Sequence, residues 1–325
     1  MFLFSAKLLA AGGEFTDEPR ERDFAYPSWF KQSFLNLPDD LSVAVASGKK
    51  GIAVYFGQKH CAYCEALMKT ISTKPDINKY FRDNYDVIPL DIWGNREVKL
   101  LNGDVLDERE YSVLEDTNFT PSLLFYNEEG KLIFKMRGYY KPYRFRAMLI
   151  YMVEGFYQQE TFREYMDRAD AAPKFDLADL NEHDLFSKFM PILDRRFNSA
   201  QKPLAVIFEQ SNCHACDQFH TTPLNDEKNL KLLNDFEIHQ LDIDSDTPLI
   251  TPSGDKINAQ QWANNLDINY YPSMVFFDEL GKEVIRIDSL VKLYRLRGVL
   301  QYIVTGGYKR FPTYQRWRRY SSEQR

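Results

Sequence analysis

The chain has 325 residues and a formal net charge of −6, a length that corresponds to about two ordinary domains. Hydrophobic residues make up 44% and charged residues 27%, with 24 Phe and 20 Tyr; this excludes a disordered or collagen-like chain and supplies rings for two cores. The acidic balance excludes whole-chain attraction to nucleic acid or anionic lipid, and four cysteines are too few to staple a scaffold of this size.

The N-terminal MFLFSAKLLAAGGE has an apolar stretch and a small-residue end. It lacks a basic region ahead of the apolar part, and Lys7 interrupts that part, so residues 1–24 read as an ordinary lead or an export-signal remnant. No apolar run approaches the ~18 residues of a spanning helix. A short helix is expected around Trp29–Phe34, ahead of an apolar run Ile52–Phe56 that reads as a buried strand.

From there the chain repeats itself. GIAVYFGQKHCAYC begins at Gly51 and PLAVIFEQSNCHAC at Pro203, an offset of 152 residues. DIWGN at Asp91 answers DIDSD at Asp242, NGD at Asn102 answers SGD at Ser253, and TPSLLFYNEEGK at Thr120 answers YPSMVFFDELGK at Tyr271, all offset by 151. Landmarks in one order at one spacing indicate a duplicated domain. Helices are expected at Glu65–Ile71 and Asp217–His220, then Ile77–Asp83 and Asn229–Asn234. Strands follow at Val87–Ile92 and Glu237–Ile243, a Gly-centred hairpin comes next, and closing helices at Phe145–Phe156 and Leu293–Val304 end the copies. Leu185–Leu193 is expected to be the helix that precedes the second copy's first strand. Strands alternating with helices, then an antiparallel hairpin, predict an α/β fold with a mixed sheet flanked by helices, twice in tandem. The domains run 25–157 and 176–305, with a helical-then-extended connector at 158–175 and a basic-aromatic tail at 306–325.

All four cysteines fall in two C-x-x-C pairs, Cys61/Cys64 and Cys213/Cys216. After a strand and a tight turn, such a pair opens a helix, where unpaired N–H groups and the helix dipole lower the pKa of the first thiol. That pattern suits Cys61 and Cys213 as nucleophiles and Cys64 and Cys216 as resolving thiols. A shared Cys₄ zinc site usually spaces its pairs about 15–20 residues apart; zinc binding and inert buried cysteines remain the alternatives.

Each copy resembles a thioredoxin-fold domain, and the tandem resembles bacterial, periplasmic-type thioredoxin-related thiol-disulfide oxidoreductases. C-A-Y-C and C-H-A-C after a strand carry the resemblance, with Pro121 and Pro272 further on, the Gly-Lys hairpins and the closing helix. It implies cis bonds at Thr120-Pro121 and Tyr271-Pro272, with Thr120 and Tyr271 offering backbone groups to an extended substrate peptide. It also implies redox-active disulfides without an organic cofactor. The partners implied are protein disulfide or dithiol substrates and an upstream redox partner, not nucleic acid or membrane. The family's exported members suggest a periplasmic or otherwise exported location, with a cytoplasmic one as the alternative. The chain departs from thioredoxin itself where a buried Asp stands six residues before the first cysteine, because Tyr55 and Ile207 occupy those places. Proton transfer from the resolving thiol then needs another base, with Glu65, Glu209 and Asp217 as candidates.

His60 and His214 flank the nucleophiles, where a protonated imidazole favours the thiolate; otherwise they are solvated turn residues. The unequal dipeptides Ala62-Tyr63 and His214-Ala215 lead to an expectation of unequal potentials, the second pair being the more oxidising. His220 and His239 read as structural. The tail interleaves Arg316, Arg318 and Arg319 with Tyr314, Trp317 and Tyr320, and is expected to pack its rings on the second domain while its guanidiniums stay wet. The leading reading is a thiol-disulfide oxidoreductase; a thioredoxin-fold binding or chaperone module, or a Cu/Zn-handling protein, would use the same cysteines.

Overall fold

The computed structural model describes residues 15–18, 20, 23–169, 180–197, 199–211 and 213–324. The expected N-terminal lead before residue 15 and the connector at 170–179 lie outside the described residues. The first repeat runs α1 (Leu37–Ala46), β1 (Gly51–Gly57), α2 (Ala62–Thr73), α3 (Pro75–Asn84) and β2 (Tyr85–Asp91), then the hairpin β3 (Glu97–Lys99) and β4 (Val105–Asp107). α4 (Glu108–Leu114), β5 (Ser122–Tyr126), β6 (Leu132–Arg137), α5 (Pro142–Val153) and α6 (Phe162–Ala169) complete it. The second runs β7 (Leu204–Glu209), α7 (His214–Phe219) continuing into a π-helical turn, α8 (Glu227–Leu233), β8 (Glu237–Asp242), and the hairpin β9 (Pro248–Ile250) and β10 (Lys256–Asn258). α9 (Ala259–Asn265), β11 (Ser273–Phe277), β12 (Glu283–Ile287), α10 (Leu293–Val304) and α11 (Tyr314–Glu323) follow.

The sheets are ordered β2-β1-β5-β6 and β8-β7-β11-β12, parallel in the first pair and antiparallel in the rest. β1 and β7 are buried throughout, as strands covered on both faces must be, and this is why they read as continuous apolar runs. Ala53 and Tyr55 face one core while Ile52, Val54 and Phe56 face another. In the second repeat Ala205 and Ile207 part from Leu204, Val206 and Phe208 in the same way.

The helices expected at Trp29–Phe34 and Leu185–Leu193 do not form. Both segments lie along a sheet edge instead: Lys31 donates its N–H to Val87 O and Ser187 to Ile238 O, each at 2.8 Å. Lys99 donates to Leu35 O and Leu193 to Ile250 O, again at 2.8 Å. Pairing with the sheet satisfies these backbone groups at least as well as a helical turn would, and the first helix starts only at Leu37.

The repeats meet across a pseudo-two-fold axis, in the manner of an isologous dimer fused into one chain. Leu290 donates its N–H to Tyr139 O at 3.3 Å, a contact between equivalent positions of the two copies. Phe119 belongs to the core of the second repeat and Tyr270, its equivalent, to that of the first; each buried ring contributes about 1.5–3 kcal/mol. The exchange extends to α6 and α11. Arg163 donates to Ile243 O at 3.2 Å, and Arg316 donates through both terminal nitrogens to Ile92 O at 3.0 Å. The tail is therefore a helix that bridges the repeats. Tyr314 and Trp317 do pack in the second core, but the Arg316 guanidinium, expected to stay wet, lies 4.3 Å from the Trp93 ring of the first repeat.

Candidate functional site

Both C-x-x-C pairs sit where a buried strand turns into a helix. Cys61 and Cys213 are the N-cap residues of α2 and α7, in extended conformation, and their Sγ atoms accept from the N–H of Cys64 at 3.1 Å and of Cys216 at 3.0 Å. Sulfur thus takes the part that Ser or Asp oxygen plays at an ordinary cap, and a thiolate in that place receives the same bond more strongly. Cys61 is joined to Cys64, and Cys213 to Cys216, as disulfides. Cys64 and Cys216 are fully buried.

The Thr120-Pro121 and Tyr271-Pro272 bonds are cis. At the first site Thr120 faces the sulfur: its Oγ1 lies 3.3 Å from Cys61 Sγ and its carbonyl oxygen 3.6 Å. Because Cys61 is disulfide-bonded, the hydroxyl is the donor in the closer contact. Gln58 donates to Thr120 Oγ1 at 2.8 Å and to Gln315 Oε1 of α11 at 3.0 Å.

The two sites differ in access. Cys61 is only 8% exposed. The cleft above it, of about 40 Å³, is closed by Asp17 and Glu18, by Tyr294 and Arg295 of α10, and by Gln315 and Arg318 of α11. Arg295 Nη2 donates to Thr120 O at 3.0 Å, so the carbonyl expected to meet a substrate peptide is already engaged by the other repeat. Cys213 is partly exposed, and a cleft of about 400 Å³ opens beside its motif, lined by Ala215, Phe219, Pro272, Leu290 and Val291.

His60 lines the same cleft as Cys61, with its Nδ1 3.9 Å from Asp23. The backbone of His214 opens α7, while its side chain, like the whole of Asn212, lies outside the described residues. Of the candidate bases, Glu65 is on the surface, paired with Arg20 at 2.7 Å, and Asp217 is exposed, accepting from Asn181 at 3.0 Å. Glu209 alone is buried. Its carboxylate meets His220 Nε2 at 2.9 and 3.1 Å and accepts from Gln240 at 2.6 Å. His220 therefore does more than fill space, while His239 pairs with Glu237 at 3.0 Å away from either dithiol.

Sequence reasoning missed Arg295. Its guanidinium lies 3.4 Å from the ring centroid of Tyr63, inside the first C-x-x-C, and 4.9 Å from that of Phe119. Tyr63 OH and Arg295 N–H both donate to one oxygen of Asp17, at 2.9 and 3.0 Å. Arg144, the counterpart of Arg295, lies over Tyr270 and Tyr271 at 4.9 and 5.6 Å. A signal was present: Tyr-Arg-x-Arg opens both closing helices, at Tyr143 and Tyr294.

The thioredoxin-like domain family matches the chain twice, over residues 37–153 and 194–303. No curated protein matches the chain significantly. Among solved structures it is similar to a thioredoxin-fold protein from Helicobacter pylori, at 15% identity over 41% of this chain and 93% of that one, with a TM-score of 0.35. A thioredoxin from Thermus thermophilus aligns at 20% identity over 33% and 76% of the two chains, TM-score 0.27. A disulphide isomerase from Xylella fastidiosa Temecula1 aligns at 16% over 46% and 98%, TM-score 0.26. With the family matched over most of its length, the chain belongs to the thioredoxin-like domain family, and does so once in each repeat.

Proposed function

We propose that this protein is a thiol-disulfide oxidoreductase whose partners are cysteines of other proteins, and that the two dithiols divide the work. The observation that carries the proposal is the placing of each first cysteine as the N-cap of a helix, accepting the N–H of the second. In the reducing direction the Cys213 thiolate attacks one sulfur of a substrate disulfide and releases the other as a thiolate. The Cys216 thiol then gives up its proton and attacks Cys213 Sγ, freeing the second substrate sulfur and leaving the protein disulfide. Two electrons pass to the substrate, and the oxidising direction is the reverse. Cys213 is the site of encounter, because it is partly exposed beside an apolar cleft next to Pro272, while Cys61 is enclosed. No organic cofactor enters this scheme.

Commitment of all four cysteines to the two pairs, with none free among the described residues, favours an oxidising, exported compartment as part of the same proposal. Reduction of insulin disulfides, with dithiothreitol as electron source, tests the function. Cys213→Ser is expected to remove most of the activity and Cys61→Ser less. Full activity in the protein carrying both substitutions would sink the reading and leave the binding or metal-handling alternatives.

A further inference from the structure

We infer that Arg295, carried by the closing helix of the second repeat, is the counter-cation of the reduced Cys61 thiolate in the first. It is a positioning residue, acting from across the repeat interface on a cysteine with which it shares no domain.

Arg295 is 92% buried, being 8% exposed, in the wall of the cleft that Cys61 also lines. One oxygen joins the two groups: Thr120 O accepts from Arg295 Nη2 at 3.0 Å and lies 3.6 Å from Cys61 Sγ. The other terminal nitrogen, Nη1, is buried and has no hydrogen-bond partner. Asp17, a carboxylate of the cleft wall, is engaged by the backbone N–H of Arg295 and by Tyr63 OH. Among the described residues no carboxylate forms an ion pair with the guanidinium. A buried cation held by rings and one carbonyl is under-compensated, and such sites are costly unless a partner charge appears.

In the oxidised state Asp17 acts on the guanidinium only at a distance, and no anion pairs with it directly among the described residues. Adding two electrons and one proton to the Cys61–Cys64 disulfide yields a Cys64 thiol and a Cys61 thiolate, and the thiolate is the missing anion. The other charged or titratable groups facing the cleft are Asp17 and Glu18, His60, Tyr63, Tyr294, Tyr314 and Arg318. The two carboxylates oppose the effect, but Asp17 is occupied as described and Glu18 accepts from Tyr294 OH at 2.9 Å. His60 lies beside Asp23, and Arg318 is exposed at the rim. Stabilising the thiolate stabilises the reduced pair and makes the first dithiol more oxidising than it would be without Arg295. This works against the order expected from the dipeptides alone.

The inference rests on the dithiol reading only in requiring that Cys61 be reducible. In full-length protein carrying Cys213→Ser and Cys216→Ser, reduced with dithiothreitol, thiolate absorbance near 240 nm is followed as pH rises, and the equilibrium with glutathione is measured. Arg295→Gln and Arg295→Met are expected to weaken thiolate formation by about tenfold, one pH unit, and to move the glutathione equilibrium about tenfold toward the disulfide. Arg295→Lys keeps the charge but loses the planar stack on Tyr63 and is expected to fall between the parent and Arg295→Gln, and Arg144→Gln to leave this site unmoved. Unchanged titration and equilibrium in folded Arg295→Gln and Arg295→Met proteins overturn the inference. If no substitution at 295 folds, the parent decides against the Cys61→Ser, Cys64→Ser protein: Cys61 titrating at or above Cys213 overturns it, and Cys61 titrating a unit below supports it. A shifted titration in a protein inert toward insulin would leave this inference standing and remove the functional one.

Discussion

Arg137 and Asp288 stand at the same position of the two repeats, 151 residues apart, and pair with each other, Nη1 to Oδ2 at 3.2 Å. Only residues on a two-fold axis meet their own equivalents, so this pair marks the pseudo-dyad. In two identical copies it would be a like-charged pair or a neutral one; divergence has made it an ion pair. Burial pushes the Asp288 carboxyl above the usual range, and Arg137, then Arg286, pull it back. Arg137→Met removes the larger compensating charge, leaving Arg286 as the remaining cation, and is expected to lower stability by about 2 kcal/mol near neutral pH. The sign follows from the raised pKa: protonated Asp288 favours the folded state, so the loss shrinks as pH falls below the folded pKa and is full above it. Urea unfolding of the full chain at neutral and mildly acidic pH checks this, and an equal loss at both would refute it.

One residue further on, Gly138 sits against Ser289, again its own equivalent. A β-carbon on Gly138 would lie 2.0 Å from Ser289 Oγ, and the backbone φ there is +87°. Both the contact and the left-handed conformation oppose any side chain. Gly138→Ala is expected to cost about 2–4 kcal/mol and to speed proteolysis between the repeats. Gly138→Ala with Ser289→Gly recovers the steric part alone; full recovery in the double variant would show the backbone contributes nothing.

Much of this arrangement was legible in the chain. The two strand–C-x-x-C–helix units and the hairpins followed from runs, turns and one offset, because they rest on local patterns. The interface was not legible from either copy alone. Segment 31–36 formed an edge pairing because Val87 and Lys99, far off in sequence, offered partners. Nothing in the pattern of the closing helix at Leu293–Val304 singles out Arg295; only the docking of the repeats buries it. The repeated Tyr-Arg-x-Arg was the available clue: its second arginine serves its own copy, Arg146 pairing with Asp76 and Arg297 with Asp226, while the first reaches rings of the other copy. α6 and α11 are equivalents that were read as a connector and a tail for a similar reason: their rings pack on their own repeat, but Arg163 and Arg316 find their partners in the other.

The unequal enclosure of Cys61 and Cys213 has a direct readout. After reduction, Cys213 is expected to react with a bulky maleimide at least tenfold faster than Cys61, because reagents reach it without parting the repeats. A small reagent such as iodoacetamide narrows the gap. Peptide mass spectrometry over time gives both rates. Equal rates with the bulky reagent would mean that the repeats separate faster than the reaction proceeds, and that enclosure does not govern access.

The strands beneath the two dithiols carry complementary pairs of residues on one face: Tyr55 and Gly57 in the first, Ile207 and Glu209 in the second. A β-carbon on Gly57 would lie 2.5 Å from the Tyr55 ring, so the large ring and the missing side chain require each other. In the second repeat the smaller Ile207 leaves room for Glu209, which His220 and Gln240 hold at 2.9 and 2.6 Å. Glu209→Ala removes a fully buried acceptor and strands both donors, which is expected to cost about 2–3 kcal/mol. Glu209→Gln keeps an acceptor of the same length and is expected to cost about 1 kcal/mol. Gly57→Ala should cost about 1–3 kcal/mol by overpacking, with Tyr55→Phe giving only partial relief because the ring edge remains. Urea midpoints of the full chain order these variants. If Glu209→Ala proved no worse than Glu209→Gln, the carboxylate would not be holding His220 and Gln240 in place.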